Sequence, residues 1–193
     1  MNIFGVKPNH PPLSVLYATG TDFCRIFQED MDRLYSLSLM LTGDHELAQK
    51  CFVAGLESSK TGNPVFKEWA QSWARRSIVQ NAIRMIHPRP TDILPSHGQL
   101  DETLPAAVRA IIALPTFDRF AYVLSVLEGY PLQECALLLD CRRDQVNSAR
   151  MRALQNVVKS IEPINPTKTI GSENQPLHEI GHFDRVSPLA ATA

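Results

Sequence analysis

The chain has 193 residues, a hydrophobic fraction of 44%, a charged fraction of 20% and a formal net charge of −1. These values are typical of an ordinary globular protein that is able to bury a core. Because the net charge is close to zero, the molecule as a whole does not attract nucleic acid, and any such binding has to come from a local basic patch.

The N-terminal residues predict a loose leader over residues 1–20. They include Pro8, Pro11 and Pro12, show no hydrophobic periodicity, and lack the charged and apolar regions of a secretory signal. No stretch approaches the length of a membrane span. The cysteines form no C-x-x-C pair and lie in apolar, helix-patterned stretches, which indicates free thiols in a reducing compartment. We therefore expect a cytoplasmic protein.

Residues 21–86 predict a bundle of three helices with short connections. The first is capped by Thr21 or Asp22 and ends at Gly43, and the second begins after a cap at Asp44. The third begins at Pro64, which suits a first helical turn, and ends before the prolines that follow residue 87. Apolar residues of the first helix recur at steps of three and four, on one face: Phe23, Phe27, Met31, Leu34, Leu37 and Leu41.

Residues 87–100 are rich in Pro, Ser, Gly and His and lack periodicity, so they predict a flexible linker. A second helical block follows over residues 101–162, and prolines near its end begin a tail over residues 163–193. The four predicted helices of this block are DETLPAAVRAIIAL, PTFDRFAYVLSVLEG, PLQECALLLD and RRDQVNSARMRALQNVVKS. No strand alternation appears, so the sequence predicts an all-α protein of two small helical domains.

The last two predicted helices have the layout of a helix-turn-helix, in which the second helix lies in the major groove of DNA. The predicted contact between them uses two apolar faces, with small residues at Ala136 and Ala153 that permit a close crossing. The polar face of the second helix carries side chains of the types that contact phosphates and base edges: Arg142, Arg143, Gln145, Asn147, Arg150 and Arg152. The alternative is the solvated face of an ordinary bundle helix.

A separate motif, HEIGH, places His178 and His182 four residues apart with Glu179 beside the first, as in the H-E-x-x-H motif of zinc peptidases. Its surroundings argue against that function. Pro176, an internal glycine and Pro188 permit only a short helix, and no third ligand is placed by the spacing. We predict a short polar tail with no metal, and neither an enzyme nor a cofactor-dependent protein.

The stretch LPTFDRFAYVLSVLEGYPLQECALLLDCRRDQVNSARMRAL resembles region 4 of bacterial sigma factors of the extracytoplasmic-function type. The resemblance rests on Leu114-Pro115, Arg119, Leu124 with Glu128-Gly129, Glu134-Cys135-Ala136, Val146 and Arg152-Ala153. It implies a transcription initiation factor whose helix-turn-helix binds promoter DNA and whose partners are core RNA polymerase and, for some members, an anti-sigma protein.

The first block resembles region 2 of the same family, through LYSLSLMLTGDHELAQKCF and FKEWAQSWARRSIVQNAIRMI. The resemblance implies that the second of these stretches helps to open the promoter and read its melted strand. Aromatic and arginine side chains suit that task, because they stack on unpaired bases and hold phosphates. The candidates are Trp69, Trp73, Arg75, Arg76 and Arg84, while the alternative for the two tryptophans is burial in the core on one helical face.

Two departures from the family concern the surface that docks on polymerase. An acidic residue and a glutamine are usual in the second helix, where this chain has Lys50 and Val53. Reversing the sign of a contact charge and losing hydrogen bonds both weaken an interface. A second hypothesis is therefore a degenerate sigma-like fold that binds a regulator or another sigma factor. A further departure, Arg150, replaces a usual core leucine in the second helix of the helix-turn-helix.

Overall fold

A computed structural model of the chain describes residues 16–92 and 103–161, and all of these residues belong to one packing unit. Over these residues it contains eight α-helices and no strand apart from one isolated bridge between Tyr17 and Phe66. The predicted all-α fold is thereby confirmed. The first four helices are α1 (Gly20–Glu29), α2 (Met31–Thr42), α3 (His45–Thr61) and α4 (Ala70–Ile86). The last four are α5 (Ala106–Ile112), α6 (Thr116–Tyr122), α7 (Leu132–Leu138) and α8 (Arg143–Ile161).

The first predicted helix is in fact two helices, which meet at Asp30. The Asp30 backbone departs from helical geometry, and its carboxylate accepts a hydrogen bond of 2.9 Å from the Gln71 side chain. Met31, placed on the buried stripe by its spacing, is 51% exposed as a result. The predicted cap was also wrong: Thr19 forms a capping box with Asp22, two residues before Thr21.

The third predicted helix begins later than expected. Pro64 lies outside any helix, and a short 3₁₀ turn at Lys67–Trp69 leads into α4. The predicted cap of α3 is confirmed, because the Asp44 carboxylate accepts the Leu47 backbone N–H at 2.8 Å.

The second block differs from the prediction in helix length. α5 covers only seven residues, and α6 continues as a π-helical turn at Val123–Leu127. After Gly129, which has a φ of 72°, α7 and α8 complete the block.

Each block packs mainly on itself, and a shared apolar cluster also joins the two. In the first block α2, α3 and α4 pack together, and in the second α8 lies against α5, α6 and α7. Between the blocks, α2 contacts α5 and α6, so that Ile112 packs with Leu39 and Ala48. The buried members of the shared cluster include Leu34, Leu37, Leu41, Ile78, Phe117, Phe120, Leu124, Ala149, Ala153 and Val157.

Candidate nucleic-acid interface

The helix-turn-helix predicted from the sequence is present as α7 and α8. Asp140 adopts a left-handed conformation, with a φ of 49°, and the Cys141 backbone N–H donates to the Ala136 carbonyl at 3.0 Å. This pattern ends α7 and turns the chain sharply. The Arg142 backbone N–H donates to the side-chain oxygen of Gln145 at 2.9 Å, which helps to start α8. The two helices pack on each other, and the small residues Ala136 and Ala153 are buried, as predicted, together with Cys135 and Val146.

The first turns of α8 present the predicted polar face. Arg142, Arg143 and Asn147 are exposed, whereas Gln145 is half-buried by its role at the helix start. An acid lies within this face, since Asp144 forms an exposed ion pair of 3.2 Å with Arg142. The net positive charge of the face is accordingly smaller than the number of arginines suggests.

Arg150 lies half-buried at the edge of the same face. Its Nη2 donates to the Asn147 side-chain oxygen at 3.0 Å, while its Nε is buried and has no hydrogen-bond partner among the described residues. The stem of an arginine can cover apolar surface while the end of its guanidinium, here Nη2, reaches the edge. The substitution for the usual leucine is thus accommodated without loss of the helix pair.

Arg152 is held by an acid of the second block. Its Nε and Nη2 donate to the two oxygens of Asp118 at 3.0 and 2.6 Å, and Asp118 is only 3% exposed. This bidentate geometry raises the pKa of Arg152 and fixes its guanidinium. The structure therefore gives Arg152 a role in joining α6 to α8.

A second candidate surface is a cleft of about 620 Å³ at the start of α4. Its walls include Phe66, Trp69, Trp73 and Tyr130. Trp69 is 58% exposed and stands edge-on to Phe66 at 5.4 Å between ring centroids. Trp73 packs against the small core around Phe23. The burial alternative is therefore wrong for Trp69, whereas Trp73 is partly buried and also lines the cleft.

The two arginines of this cleft are both paired with acids of the second block. Arg75 donates through Nε and Nη2 to the Glu128 carboxylate at 2.8 and 2.7 Å, and Arg76 donates to Glu134 at 2.6 Å. These hydrogen bonds raise the pKa of both guanidinium groups. Arg84 lies near the other end of α4, exposed and apart from the cleft.

One further contact between the blocks was not predicted, although its arginine is among the residues that carry the resemblance to region 4. Arg119, 1% exposed, donates to the Thr42 carbonyl at 3.2 Å and to the Ile112 carbonyl at 3.0 Å. Thr42 ends α2, where a cation interacts favourably with the helix dipole. Burial lowers the pKa of Arg119 to about 10, so its guanidinium remains charged at neutral pH.

Several features predicted from the sequence lie wholly or partly outside the residues that the structure describes. The HEIGH motif and the tail lie outside the described residues, as do most of the leader and residues 93–102, which include the second half of the predicted linker. Within the described ranges, no group of side chains is arranged to hold a metal ion, and no helix is long and apolar enough to span a membrane.

Residues 104–157 match the family model of sigma-70, region 4. The match begins just before α5 and extends through most of α8, so it includes the complete turn between α7 and α8. Searches of curated proteins and of solved structures found no significant match. The second helical block is thus a sigma-70 region 4-like domain, which indicates a DNA-binding role in transcription.

Proposed function

We propose that the protein is a sigma-like transcription initiation factor that binds promoter DNA and associates with core RNA polymerase. The observation that carries this proposal is the region 4 match over residues 104–157, together with a helix-turn-helix that exposes Arg142, Arg143 and Asn147. Arginine and asparagine recognise guanine and adenine edges in the major groove, and arginine also holds phosphates.

The ion pairs made by three acids of the second block support this role, because each pair neutralises a negative charge of that block. Asp118, Glu128 and Glu134 are each paired with an arginine. A local basic patch at α8 is then compatible with a net charge of −1.

The first block, in this proposal, acts as the region 2-like domain and contacts the melted strand. Trp69 presents an exposed ring on which a base can stack, and Arg75, Arg76 and Arg84 supply cations along α4, which follows it. The division into two domains, 21–86 and 101–162, remains a prediction.

A salt series tests DNA binding by the helix-turn-helix. The logarithm of the affinity for duplex DNA should fall linearly with the logarithm of the salt concentration, because bound phosphates release counterions. Arg143→Gln should weaken binding at every salt concentration and reduce the slope by about 1. An unchanged slope in this variant, or binding that does not respond to salt, would contradict the proposed role of α8.

The alternative function is that of a sigma-like interaction protein, and two residues of α3 favour it. Val53 is 58% exposed, and Lys50 pairs with Glu46 at 2.6 Å on the surface. These residues stand where an acid and a glutamine would support polymerase docking, so this surface presents different chemistry to a partner.

Co-elution with core RNA polymerase at increasing salt separates the two functions. The proposed function predicts saturable one-to-one binding by the native chain. If the native chain fails to bind while Lys50→Asp with Val53→Gln binds, the interaction-protein alternative is favoured. Helical circular dichroism of both proteins controls for folding.

A further inference from the structure

The two blocks are joined by charged contacts made by three arginines, Arg75, Arg76 and Arg119. Arg75 and Arg76 of α4 bind the carboxylates of Glu128 and Glu134, on either side of the turn that precedes α7. The third arginine belongs to the second block: Arg119, on α6, donates to the Thr42 carbonyl at the end of α2 in the first block. We call this set of contacts the arginine clasp.

The two acidic contacts of the clasp lie at the cleft that carries the exposed aromatic residues. Arg75, Arg76, Glu128 and Glu134 all line the same cleft as Trp69. The guanidinium groups that would hold phosphates beside a stacked base are already bound to carboxylates. A carboxylate and a phosphate compete for an arginine because both accept its paired N–H donors in the same geometry.

The strengths of the two acidic contacts differ. The Glu128 side chain is 9% exposed and its pair with Arg75 is bidentate, whereas Glu134 and Arg76 are each about one third exposed. An exposed pair contributes little, while a bidentate pair with a shielded partner contributes more. Glu128 is therefore the principal competitor and Glu134 the weaker one.

We infer that the region 4-like block inhibits the first block in cis, since Glu128 and Glu134 occupy Arg75 and Arg76 and so keep single-stranded DNA from the aromatic cleft. This inference rests on the proposed function, because it concerns the regulation of the same single-strand surface. When the strand binds, two of its phosphates replace the two carboxylates as partners of Arg75 and Arg76. The released acids then face solvent, and the start of α7 loses its contact with α4.

The test is the affinity of the full chain for a fluorescent single-stranded oligodeoxynucleotide, measured by anisotropy at low salt. The variant Glu128→Gln with Glu134→Gln removes both competitors, and we expect it to bind about tenfold more tightly than the native chain. The matched control is Glu46→Gln with Glu57→Gln, which removes two charges from the exposed pairs with Lys50 and Lys60 on α3. That control should change the affinity less than about twofold.

A third protein shows whether the gain depends on the cleft. Adding Trp69→Ala to Glu128→Gln with Glu134→Gln should abolish most of the gain, because base stacking on an aromatic ring contributes strongly to single-strand affinity. Trp69 is largely exposed, so this change spares the core.

The outcomes separate the inference from the proposed function. If the native chain binds as tightly as the variant without the two acids, the cis inhibition is overturned while single-strand binding stands. If all the proteins are folded and none binds, single-strand binding itself is wrong and the inference fails with it. An equal gain in the α3 control would overturn the inference as a general charge effect.

Discussion

At the residue scale, the arginines of α8 separate into two groups by what their side chains contact. Arg142 and Arg143 are exposed at the helix start, whereas Arg152 is bound in bidentate geometry by the buried Asp118. The first group is exposed where the proposed DNA contact would form, and Arg152 stabilises the block. Residue type alone could not make this distinction, because Asp118 is 34 residues away in sequence.

A pair of glutamine substitutions tests that division. Arg152→Gln should lower the free energy of unfolding by about 1–3 kcal/mol, because it leaves the buried Asp118 carboxylate without its partner. Arg142→Gln should change stability by less than about 0.5 kcal/mol, since its pair with Asp144 is exposed. Urea unfolding measures both, and equal effects would contradict the assignment.

Asp144 gives a second prediction at this scale. Asp144→Asn should raise duplex DNA affinity about threefold, because it removes a negative charge from the binding face and releases Arg142. It should also lower stability slightly, since an acid in the first turn of α8 interacts favourably with the helix dipole. Duplex titration checks the first effect, and a weaker-binding variant would contradict it.

Two glycines with the same backbone conformation, Gly43 at the end of α2 and Gly129 before α7, allow the cost of an added Cβ to be compared. Gly43 has a φ of 73°, and a Cβ added there would lie 2.6 Å from Arg119 Nη1. Gly129 has a φ of 72°, with nothing within 4 Å of such a Cβ. Gly129→Ala should cost about 1 kcal/mol from backbone strain alone. Gly43→Ala should cost at least about 1 kcal/mol more, by displacing a buried guanidinium. Thermal unfolding measures the difference, and equal losses would show that the Arg119 contact is loose.

At the element scale, local patterns predicted the helices well where their ends depend on nearby residues. The Asp44 cap, the α7–α8 turn and the buried faces of both helices follow from spacing and capping. The break at Asp30 was missed because the apolar stripe continues across it from Phe27 to Leu34. Its partner Gln71 is 41 residues away, beyond the reach of any local pattern.

The residue types of the candidate site were predictable from the sequence, but their pairings were not. The composition of the α8 face follows from the sequence, as does the presence of aromatics and arginines near the start of α4. The pairing of Arg75 with Glu128, separated by 53 residues, requires the packing of one block on the other. Sequence reasoning therefore identified the cations of the cleft and missed the acids that neutralise them.

Two buried thiols, on two different helices, make the stability of the fold depend on pH. Burial raises the pKa of both Cys51, on α3, and Cys135, on α7, to about 11. The unfolded thiols ionise near pH 8.5, whereas the folded thiols remain protonated. Their contribution to stability is thus complete below about pH 8.5 and falls as the pH rises toward 11.

Unfolding in urea at pH 8 and at pH 10.5 measures this effect. The native chain should lose about 1–2 kcal/mol per buried thiol over that interval, and Cys51→Ala with Cys135→Ala should lose correspondingly less. Cys24→Ser, at an exposed cysteine, serves as the control and should follow the native chain. Identical losses in all three proteins would assign the pH dependence to other groups.

At the scale of the whole molecule, near-neutral charge and a DNA-binding role are compatible because acids and bases are sorted by location. Three acids of the second block are paired with arginines, while the start of α8 keeps Arg142 and Arg143 at the surface. A net charge averages over this arrangement, so it is a weak guide to local binding.

The π turn at Val123–Leu127 makes the packing of the two blocks depend on the number of residues in this segment. A π turn holds more residues than the α-helical turn it replaces, and the Glu128 backbone N–H accordingly donates to the Val123 carbonyl at 2.9 Å. Deleting one residue of this segment would let it close as α-helix, but it would rotate the following residues by about 100° about the helix axis. Glu128 would then turn away from Arg75, although no residue of either pair had been substituted. Deletion scanning therefore reports on this segment in a way that substitution scanning does not, and an insertion or deletion here is a route by which the arrangement of the two blocks can change.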